Sequence, residues 1–485
     1  MRWAALHSLG CKVNSYETEA MQQMLEEAGY EIVPFHQKAD VYVVNTCSVT
    51  NVADRKSRQM IHRARKLNPE AIVVAAGCYV QTSPEQAAGD AAIDIVIGNN
   101  CKKNLIALLE EYESNPGRKN SSCRDKNLSD ATIISRKNVC PANVLVTGSN
   151  MSDNQETDDN MTSSPEMRKS DSEVSRTEVA LLDINQPGQF YEELHVAHPA
   201  EHTRAFLKVQ DGCNQFCSYC IIPYARGRVR SRKLEDVVRE TKELVENGFQ
   251  EIVLTGIHLS SYGIDLGYTL LDLIRSVHAV EGIRRIRLGS LEPGIVTEEF
   301  VSELAKMEKV CPHFHLSLQS GSDTVLRRMN RKYTAEEYFH KCEILRQYYE
   351  HPALTTDIIV GFPGETEEEF AETCAFAKRV SFYEIHVFQY SRRKGTAADR
   401  MEGQIPSAVK AERSHRLMTI AAEQKKCFAA WYEGKTAEVL FEEAVTIDGE
   451  TFYEGFTPEY VKIRYRTEES LENKIMKVEF FQIIV

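Results

Sequence analysis

Hydrophobic and polar positions over residues 1–110 alternate between short apolar runs and longer stretches with helical periodicity. Apolar runs at 2–7, 41–44 and 72–75 precede Cys11, Cys47 and Cys78 in turn, and a fourth run covers 93–97. Strands that alternate with helices predict a parallel sheet covered by helices on both faces. Ligands of such sheets gather outside the carboxyl ends of the strands. We therefore expect the three cysteines along one edge of the sheet.

A second alternation of strands and helices runs from residue 204 to residue 390. The six strand candidates cover residues 205–209, 252–255, 286–289, 313–318, 356–360 and 384–389. Six consecutive βα units predict a partial (β/α) barrel rather than the closed eight-stranded form. The chemistry of such barrels lies at the carboxyl ends of the strands.

The remaining segments differ in composition. Residues 113–195 are rich in Ser, Asn, Asp, Thr and Glu and mostly lack apolar periodicity, which predicts a disordered linker or insertion. Residues 407–428 have a helical pattern. Short apolar runs at 437–441, 451–455, 461–465 and 476–481 predict a small all-β barrel of the oligonucleotide-binding kind. The predicted class is α/β, with a doubly wound parallel-sheet domain over 1–112, the insertion over 113–195, the partial barrel over 196–430 and the small barrel over 431–485.

Composition and charge narrow the possible functions. The 485 residues include 58 basic and 71 acidic side chains, a formal charge of −13, so a nucleic acid would have to bind at local basic patches. No run of 18 apolar residues is present and the first residues lack a long apolar stretch, which predicts a cytoplasmic protein that does not bind membranes. The thirteen cysteines do not indicate a disulfide framework, which is typical of short secreted chains. Metal binding, catalysis and core packing remain as their roles.

The strongest local motif is Cys213-x-x-x-Cys217-x-x-Cys220, directly after the first predicted barrel strand. Thiolates hold iron–sulfur clusters, normally four to a cubane, so three thiolates leave one iron free for an outside ligand. A zinc site or a redox pair is the alternative. Zinc would require a fourth Cys or His at a similar spacing, and none is close in the sequence. The motif therefore favours an iron–sulfur cluster.

The motif resembles that of the radical S-adenosylmethionine (SAM) superfamily, and further matching residues follow the other predicted strands. The candidate SAM-binding residues are Thr255, Gly256, Ser290, Glu292, Gln319, Asp357 and Gly361. Glycines at strand ends allow the backbone to approach a ligand closely, and Glu292 and Gln319 offer hydrogen bonds. The resemblance implies that the open iron binds the amino and carboxylate groups of SAM, and that an electron from the cluster cleaves SAM to a 5′-deoxyadenosyl radical.

Cys11, Cys47 and Cys78 are too far apart in the sequence to form a local metal motif, so three buried structural cysteines are the alternative reading. The order of the domains, however, resembles the methylthiotransferase family. That resemblance implies that these cysteines bind a second, auxiliary [4Fe–4S] cluster. It also implies that the C-terminal barrel is a TRAM-like RNA-binding domain. Beyond the six cysteines, no catalytic residue is assigned.

Residues 10–14 and 49–58 resemble the subfamily that acts on N6-threonylcarbamoyladenosine at position 37 of tRNA. The implied reaction adds a methylthio group to C2 of that base, with two [4Fe–4S] clusters and SAM as cofactors. Two alternative substrates are isopentenyladenosine-37 of tRNA and an aspartate of a ribosomal protein. An alternative of a different class is a non-catalytic RNA-binding protein that contains a metal. The expected partners are the tRNA anticodon loop and a low-potential electron donor such as flavodoxin or ferredoxin, and a monomer is expected.

Basic residues cluster near the predicted active-site ends and are the candidates for contact with RNA phosphates. They are Arg55, Arg58, Arg226, Arg228, Arg230, Arg392 and Arg393. Solvated helix faces are the alternative role for these side chains.

Overall fold

The N-terminal sheet is fully parallel in the computed structural model, which describes residues 2–114, 177–199, 203–447 and 449–479. Its strands are β1 (Arg2–Ser8), β2 (Tyr30–Ile32), β3 (Val41–Thr46), β4 (Ile72–Gly77), β5 (Ile95–Ile97) and β6 (Glu178–Ala180). Their order is β2-β1-β3-β4-β5-β6. The predicted parallel sheet is therefore confirmed, and the short strands β2 and β6 are additions to it.

Helices cover both faces of this sheet. They are α1 (Lys12–Glu27), α2 (Asn51–Leu67), α3 (Cys78–Thr82), α4 (Pro84–Ala88) and α5 (Leu105–Glu113). Val41 and Val43 pack into the core on one face, while Tyr42 and Val44 pack into the core on the other. A strand buried on both faces must be apolar at every position, which explains the continuous apolar runs in the sequence.

Strand β6 lies within the segment 113–195, for which the sequence predicts disorder. Val179 of β6 pairs with Val96 of β5, and Ala180 pairs with Ile97. The end of that segment is therefore an edge strand of the N-terminal sheet, which corrects the expectation for residues 178–180. Three residues are too few to show a strand periodicity. Residues 115–176, the rest of the predicted insertion, lie outside the described residues.

The central domain is a partial barrel with the six predicted strands and one additional two-residue strand, Arg230–Ser231. Its strands are β7 (Arg204–Asp211), β8 (Arg230–Ser231), β9 (Glu251–Gly256), β10 (Arg285–Leu288), β11 (His313–His315), β12 (Ala353–Val360) and β13 (Glu384–Gln389). They form two sheets, β10-β9-β7-β8 and β11-β12-β13, parallel except for the short hairpin partner β8. Backbone hydrogen bonds from Cys311 to Ile286 and from Leu291 to His315 join the two sheets into one curved wall.

The barrel helices are positioned by local sequence signals. They are α6 (Ile222–Ala225), α7 (Leu234–Glu246), α8 (Leu270–His278), α9 (Glu298–Leu304), α10 (Asp323–Arg328), α11 (Ala335–Tyr348), α12 (Glu367–Val380) and α13 (Ser407–Ala430). Thr269, Thr334 and Thr366 form capping boxes that begin α8, α11 and α12. Each box satisfies backbone N–H groups at the helix start, so these helices begin at defined residues. Among the described helices, none is long and apolar enough to cross a membrane.

The C-terminal domain is a curled antiparallel sheet with the order β16-β15-β14-β17. Its strands are β14 (Thr436–Ile447), β15 (Glu450–Phe456), β16 (Lys462–Arg466) and β17 (Ile475–Glu479). Arg285 donates a hydrogen bond to the carbonyl of Phe456 (2.9 Å), and Arg287 donates one to the carbonyl of Pro458 (2.8 Å). Both arginines belong to β10 near the start of the barrel strands. The small domain therefore closes the end of the barrel opposite the cysteine loop.

Candidate active site

Cys11, Cys47 and Cys78 lie at one edge of the N-terminal sheet, as the sequence predicts. Cys11 follows β1 and directly precedes α1, Cys47 directly follows β3, and Cys78 follows β4 as the first residue of α3. The three strands are neighbours in the sheet, since Ser8 is in register with Asn45, and Thr46 with Gly77. Parallel pairing in this register places the three strand ends, and therefore the three cysteines, side by side.

The three thiols influence each other electrostatically. The pKa of Cys47 is raised to about 12, chiefly by burial and then by the negative charges of Cys78 and Cys11, while Arg226 opposes the shift. A bound metal reverses the preference, because a thiol that coordinates a metal is deprotonated. The arrangement fits a cation or metal cluster held by three sulfur ligands.

Backbone and amide contacts fix the loops that carry these cysteines. The Asn14 side-chain amide donates to the carbonyls of Leu9 (2.7 Å) and Thr46 (2.9 Å). Gly10 has φ +109°, and a Cβ added there would lie 2.8 Å from the sulfur of Cys47. Glycine is therefore required at position 10, both for its backbone conformation and for the close approach of Cys47.

Cys213, Cys217 and Cys220 share the loop that follows β7. Burial raises the pKa of Cys220 to about 12, and the charges of Cys217 and Cys213 act in the same direction. The guanidinium of Arg331 donates a hydrogen bond to the sulfur of Cys217 at 3.2 Å, which offsets part of the negative charge of a thiolate. All eleven cysteines in the described part of the chain are free thiols, so both groups have their sulfurs available as ligands.

Among the predicted SAM-binding residues, Glu292 is joined to this loop through Arg331, and Gln319 pairs with strand β12 of the barrel wall. Glu292 accepts a hydrogen bond from Arg331 at 2.8 Å, and Arg331 also contacts Cys217. Gln319 has a positive φ of +72°, and its backbone N–H donates to the carbonyl of Asp357 at 2.8 Å. Arg331 links the cysteine loop to Glu292, and the sequence analysis did not identify it. A lone arginine after a helix carries no motif that would reveal this role.

The other predicted SAM-binding residues have more varied surroundings. Thr255 is buried at the end of β9 and Ser290 is exposed after β10. A Cβ added at Gly256 would meet Gln210, and one added at Gly361 would meet the side chain of Lys410. The glycines therefore allow close packing within the protein itself, and their contact with SAM stays a prediction.

Asp357 belongs to a polar cluster on the barrel wall. Its carboxylate lies 3.3 Å from Nε2 of His315, and the rings of His315 and His386 stack with centroids 5.8 Å apart. One donor atom from each of the three side chains lies within 4.8 Å of the others. His315 lies on β11 and His386 on β13, the two strands that flank β12, so only the pairing of all three strands brings the histidines and Asp357 together. The role of Asp357 in SAM binding stays a prediction.

Three of the seven predicted RNA-contacting arginines lie inside the protein. Arg226, Arg230 and Arg393 are 0%, 2% and 6% exposed. Arg226 donates to Glu17 (2.9 Å) and Asp211 (3.1 Å), so its charge is neutralised internally. These three side chains cannot reach a phosphate in this structure, which corrects the expectation for them. Arg55, Arg58, Arg228 and Arg392 are exposed, as RNA contact requires.

Buried arginines instead join the two domains that carry the cysteines. Arg393, which follows β13, donates to Asp54 (2.6 Å) and Ser48 (2.7 Å), and Ser48 is adjacent to Cys47. Arg226, at the end of α6, donates to Asn14 (2.6 Å) in α1. Both cysteine groups are therefore fixed relative to one another by charge-assisted hydrogen bonds.

Comparisons with known proteins agree with this architecture. Residues 207–377 match the radical SAM superfamily, and residues 4–98 match uncharacterized protein family UPF0004. The fold resembles a radical S-adenosylmethionine methyltransferase, TsrM, from Kitasatospora setae, with TM-score 0.50, 16% identity and coverage of 80% of this chain and 73% of that one.

Two relatives align over nearly the whole chain. A tRNA-2-methylthio-N(6)-dimethylallyladenosine synthase from Moorella thermoacetica is 32% identical over 97% of this chain and 93% of its own length. The threonylcarbamoyladenosine tRNA methylthiotransferase MtaB of Bacillus subtilis is 40% identical over 99% of this chain and 94% of its own length. The chain therefore belongs to the tRNA methylthiotransferase family of the radical SAM superfamily.

Proposed function

We propose that this protein transfers a methylthio group to C2 of N6-threonylcarbamoyladenosine at position 37 of tRNA. The observation that carries the proposal is the presence of two separate groups of three free cysteines, one in each of two joined domains. The level of identity to the threonylcarbamoyladenosine enzyme, 40% over nearly the full chain, supports this nucleoside rather than dimethylallyladenosine, whose enzyme is 32% identical.

The two groups of three cysteine thiols fit two [4Fe–4S] clusters. Cys213, Cys217 and Cys220 would hold the cluster that binds SAM, and the other three cysteines would hold the auxiliary cluster. Three thiolates per cubane leave one iron open in each, which is the feature that a substrate-binding cluster needs. When bound, the cofactors supply electron transfer, a carbon-centred radical and a transferable sulfur. The protein supplies placement and a shielded pocket.

The protein's own contribution is a fixed geometry between the two groups. Arg226 lies six residues after Cys220 and donates to Asn14 and Glu17 in α1, which begins directly after Cys11. Arg393 secures the segment after Cys47 in the same way. Holding two reacting centres in one arrangement lowers the entropic part of a reaction barrier. A rigid junction is therefore expected in an enzyme that must act on one base from two sides.

The tRNA substrate requires an exposed basic surface near both cysteine groups. Arg55 and Arg58 are exposed on α2, and the start of α2 contacts the segment of Arg392 because Asn51 donates to its carbonyl at 2.8 Å. Arg228 is exposed after the cysteine loop, with its guanidinium 4.5 Å from the ring centre of Phe216. We assign this surface to the anticodon loop, whose target base must leave its stack to be reached.

The cellular setting follows from this assignment. The enzyme acts in the cytoplasm as a monomer. Its domains are those proposed from the sequence, and residues 178–180 contribute to the N-terminal sheet. A low-potential donor such as flavodoxin or ferredoxin supplies its electrons. The proposed SAM contacts are Glu292 and Gln319 on the rim, together with Thr255, Gly256, Ser290, Asp357 and Gly361.

Mass spectrometry of tRNA nucleosides from cells with and without the gene tests the proposal. We expect loss of 2-methylthio-N6-threonylcarbamoyladenosine and accumulation of its precursor that lacks the methylthio group. A change only in the isopentenyl series would keep the chemistry and replace the substrate. An unchanged nucleoside profile would contradict a role in tRNA modification and direct attention to the ribosomal protein.

A further inference from the structure

Three polar side chains lie on the inner face of the barrel wall. His315, Asp357 and His386 belong to β11, β12 and β13, which are neighbouring strands of one parallel sheet. The residues next to them in these strands pack into the core that the barrel helices cover; they are Phe314, Ile358 and Ile385. Because successive side chains of a strand point to opposite faces, the three polar side chains point away from the helices and into the barrel.

These side chains lie below the end of the barrel that carries the cysteine loop. Two residues after His315, the carbonyl of Ser317 accepts a hydrogen bond from Arg331 at 3.1 Å. Arg331 also donates a hydrogen bond to the sulfur of Cys217. Two residues of a strand span about 7 Å, so the polar cluster lies inside the barrel at a short distance from that loop. Among the described residues, no hydrogen bond or ion pair joins the cluster to any of the six cysteines.

The two ring nitrogens of His315 have different partners. Nδ1 lies 3.0 Å from the hydroxyl of Thr355, and Nε2 lies 3.3 Å from the carboxylate of Asp357. A histidine that binds a metal with one nitrogen normally holds its other nitrogen on such a polar partner, which fixes the orientation of the ring. Thr355 therefore fixes His315 with Nε2 directed toward Asp357.

The other two members of the cluster have free binding capacity. Among the described residues, the carboxylate of Asp357 has no partner other than His315, and the ring of His386 stacks on His315 without a hydrogen bond or an ion pair. One donor atom from each side chain lies within 4.8 Å of the others. With metal–ligand bonds of about 2.1 Å, tetrahedral ligand atoms lie about 3.4 Å apart. His315 and Asp357 already have this separation, and rotation of the exposed ring of His386 brings the third ligand to it.

We propose that His315, Asp357 and His386 bind a divalent transition metal ion inside the barrel. Two imidazoles and one carboxylate suit zinc or ferrous iron, whereas calcium and magnesium prefer oxygen ligands alone. Three protein ligands leave at least one position open for water or another oxygen ligand in the barrel interior. The site is separate from the two cysteine groups and does not depend on the proposed function. It makes Asp357 a metal ligand instead of a contact of SAM.

Equilibrium dialysis of the holoenzyme against Zn²⁺, without oxygen, tests the site. The proteins are the wild type, three ligand variants, one variant of the residue that orients His315, and a control. They are His315→Gln, Asp357→Asn, His386→Gln, Thr355→Val and His415→Gln. His415 is an exposed histidine of α13 and serves as the matched control. The readouts are bound zinc per chain, zinc affinity, iron content and affinity for SAM.

We expect the wild type and His415→Gln to bind the same amount of zinc with the same affinity. Thr355→Val keeps the shape of the side chain and removes the partner of Nδ1, so it should weaken zinc binding by roughly ten- to a hundredfold. Each ligand variant should weaken it by more than Thr355→Val does. Iron content should stay at the wild-type level in all of them, because the cluster cysteines are unchanged.

Three results would overturn the inference. If the wild type binds no more zinc than the ligand variants, the cluster holds no metal, and this answer does not depend on how well any variant folds. If added zinc lowers the iron content and the ligand variants bind as much zinc as the wild type, the zinc occupies cluster cysteines. If Asp357→Asn weakens SAM binding and leaves zinc binding unchanged, Asp357 is a contact of SAM and not a metal ligand.

Discussion

In the radical SAM domain, Cys213, Cys217 and Cys220 share one loop after β7, whereas in the N-terminal domain the three cysteines follow three different strands. The first group depends on local spacing, which the sequence displays directly. The second depends on the register of a parallel sheet and on the contacts that hold its edge. The auxiliary group should therefore be more sensitive to changes in the surrounding structure, and the loop group to changes in the loop alone.

The largest effect is expected from removal of one cysteine from each group, which tests whether the two groups have separate roles. Cys213→Ala should abolish cleavage of SAM, whereas Cys47→Ala should retain cleavage and lose the methylthio product. Each variant should lose about half of its iron, because one of two cubanes loses a ligand. Iron analysis, 5′-deoxyadenosine release and product mass spectrometry measure the three quantities.

The controls for this test lie in the same chain. Cys342→Ala removes a buried cysteine that packs in the core, and it should leave the iron content unchanged. Retained SAM cleavage in Cys213→Ala would show that the loop does not hold the cleaving cluster. A metal content that is insensitive to oxygen, without any cleavage of SAM in the wild type, would instead favour the non-catalytic RNA-binding protein.

The buried junction between the domains provides the second test. Arg226→Met removes a guanidinium from among Glu17, Asp211 and Asn14, and should destabilise the protein by about 3–5 kcal/mol. Lys208 still pairs with both carboxylates, which favours the lower end of that range. The free energy of unfolding in urea measures the change.

Arg228→Met is the matched control for the junction. Arg228 is exposed two residues away, and its side chain contacts only the ring of Phe216 among the interactions described, so its loss should cost less than about 1 kcal/mol. Equal destabilisation by the two variants would contradict the view that Arg226 holds the domains together.

A third test changes the backbone beneath the auxiliary group. Gly10→Ala places a methyl group 2.8 Å from the sulfur of Cys47, and should lower the auxiliary iron content while SAM cleavage continues. Gly29→Ala is matched to it, because Gly29 also has a positive φ, +85°, but no atom lies within 4 Å of the added carbon. That control should cost only about 1 kcal/mol of stability and keep its iron. Equal loss of iron from both variants would attribute the effect to backbone strain alone.

Sequence reasoning succeeded where a feature is local or periodic. The apolar runs of β3 and β4 predict their strands. Parallel pairing of these strands then puts the cysteine that follows each strand at the same edge of the sheet. The prediction of RNA contact is wrong for Arg226, because nothing in the sequence distinguishes this arginine from Arg228. Only the fold shows that the first is 0% exposed and the second lies at the surface.

The missed features share a physical cause. Arg331 approaches Cys217, and His315 approaches Asp357, through strand pairing and loop packing between residues far apart in the sequence. No spacing rule reports such contacts. The edge strand β6 is three residues long and pairs with β5 across a segment of polar composition, so neither its length nor its surroundings indicated a strand.

The smallest effects are expected from single substitutions on the exposed surface assigned to RNA, which must extend to both cysteine groups. Arg55 lies on α2, which follows Cys47 in the N-terminal domain. Arg228 follows the cysteine loop of the radical SAM domain, so each arginine tests one of the two domains. Arg55→Gln and Arg228→Gln should each weaken binding of the anticodon stem–loop by a few-fold. Each should also reduce the slope of log affinity against log salt by about 0.7. Lys38→Gln, which changes an exposed lysine of the N-terminal domain, is the control and should change neither quantity.

The double variant decides whether one RNA spans both sides. If Arg55 and Arg228 contact the same bound stem–loop, their effects on the slope should add to about 1.4, since separate phosphate contacts release counterions independently. If only Arg228→Gln alters the slope, the RNA contacts the radical SAM domain alone. In that case the auxiliary group would have to reach the base without support from the N-terminal surface. Titrations at several salt concentrations distinguish these two results.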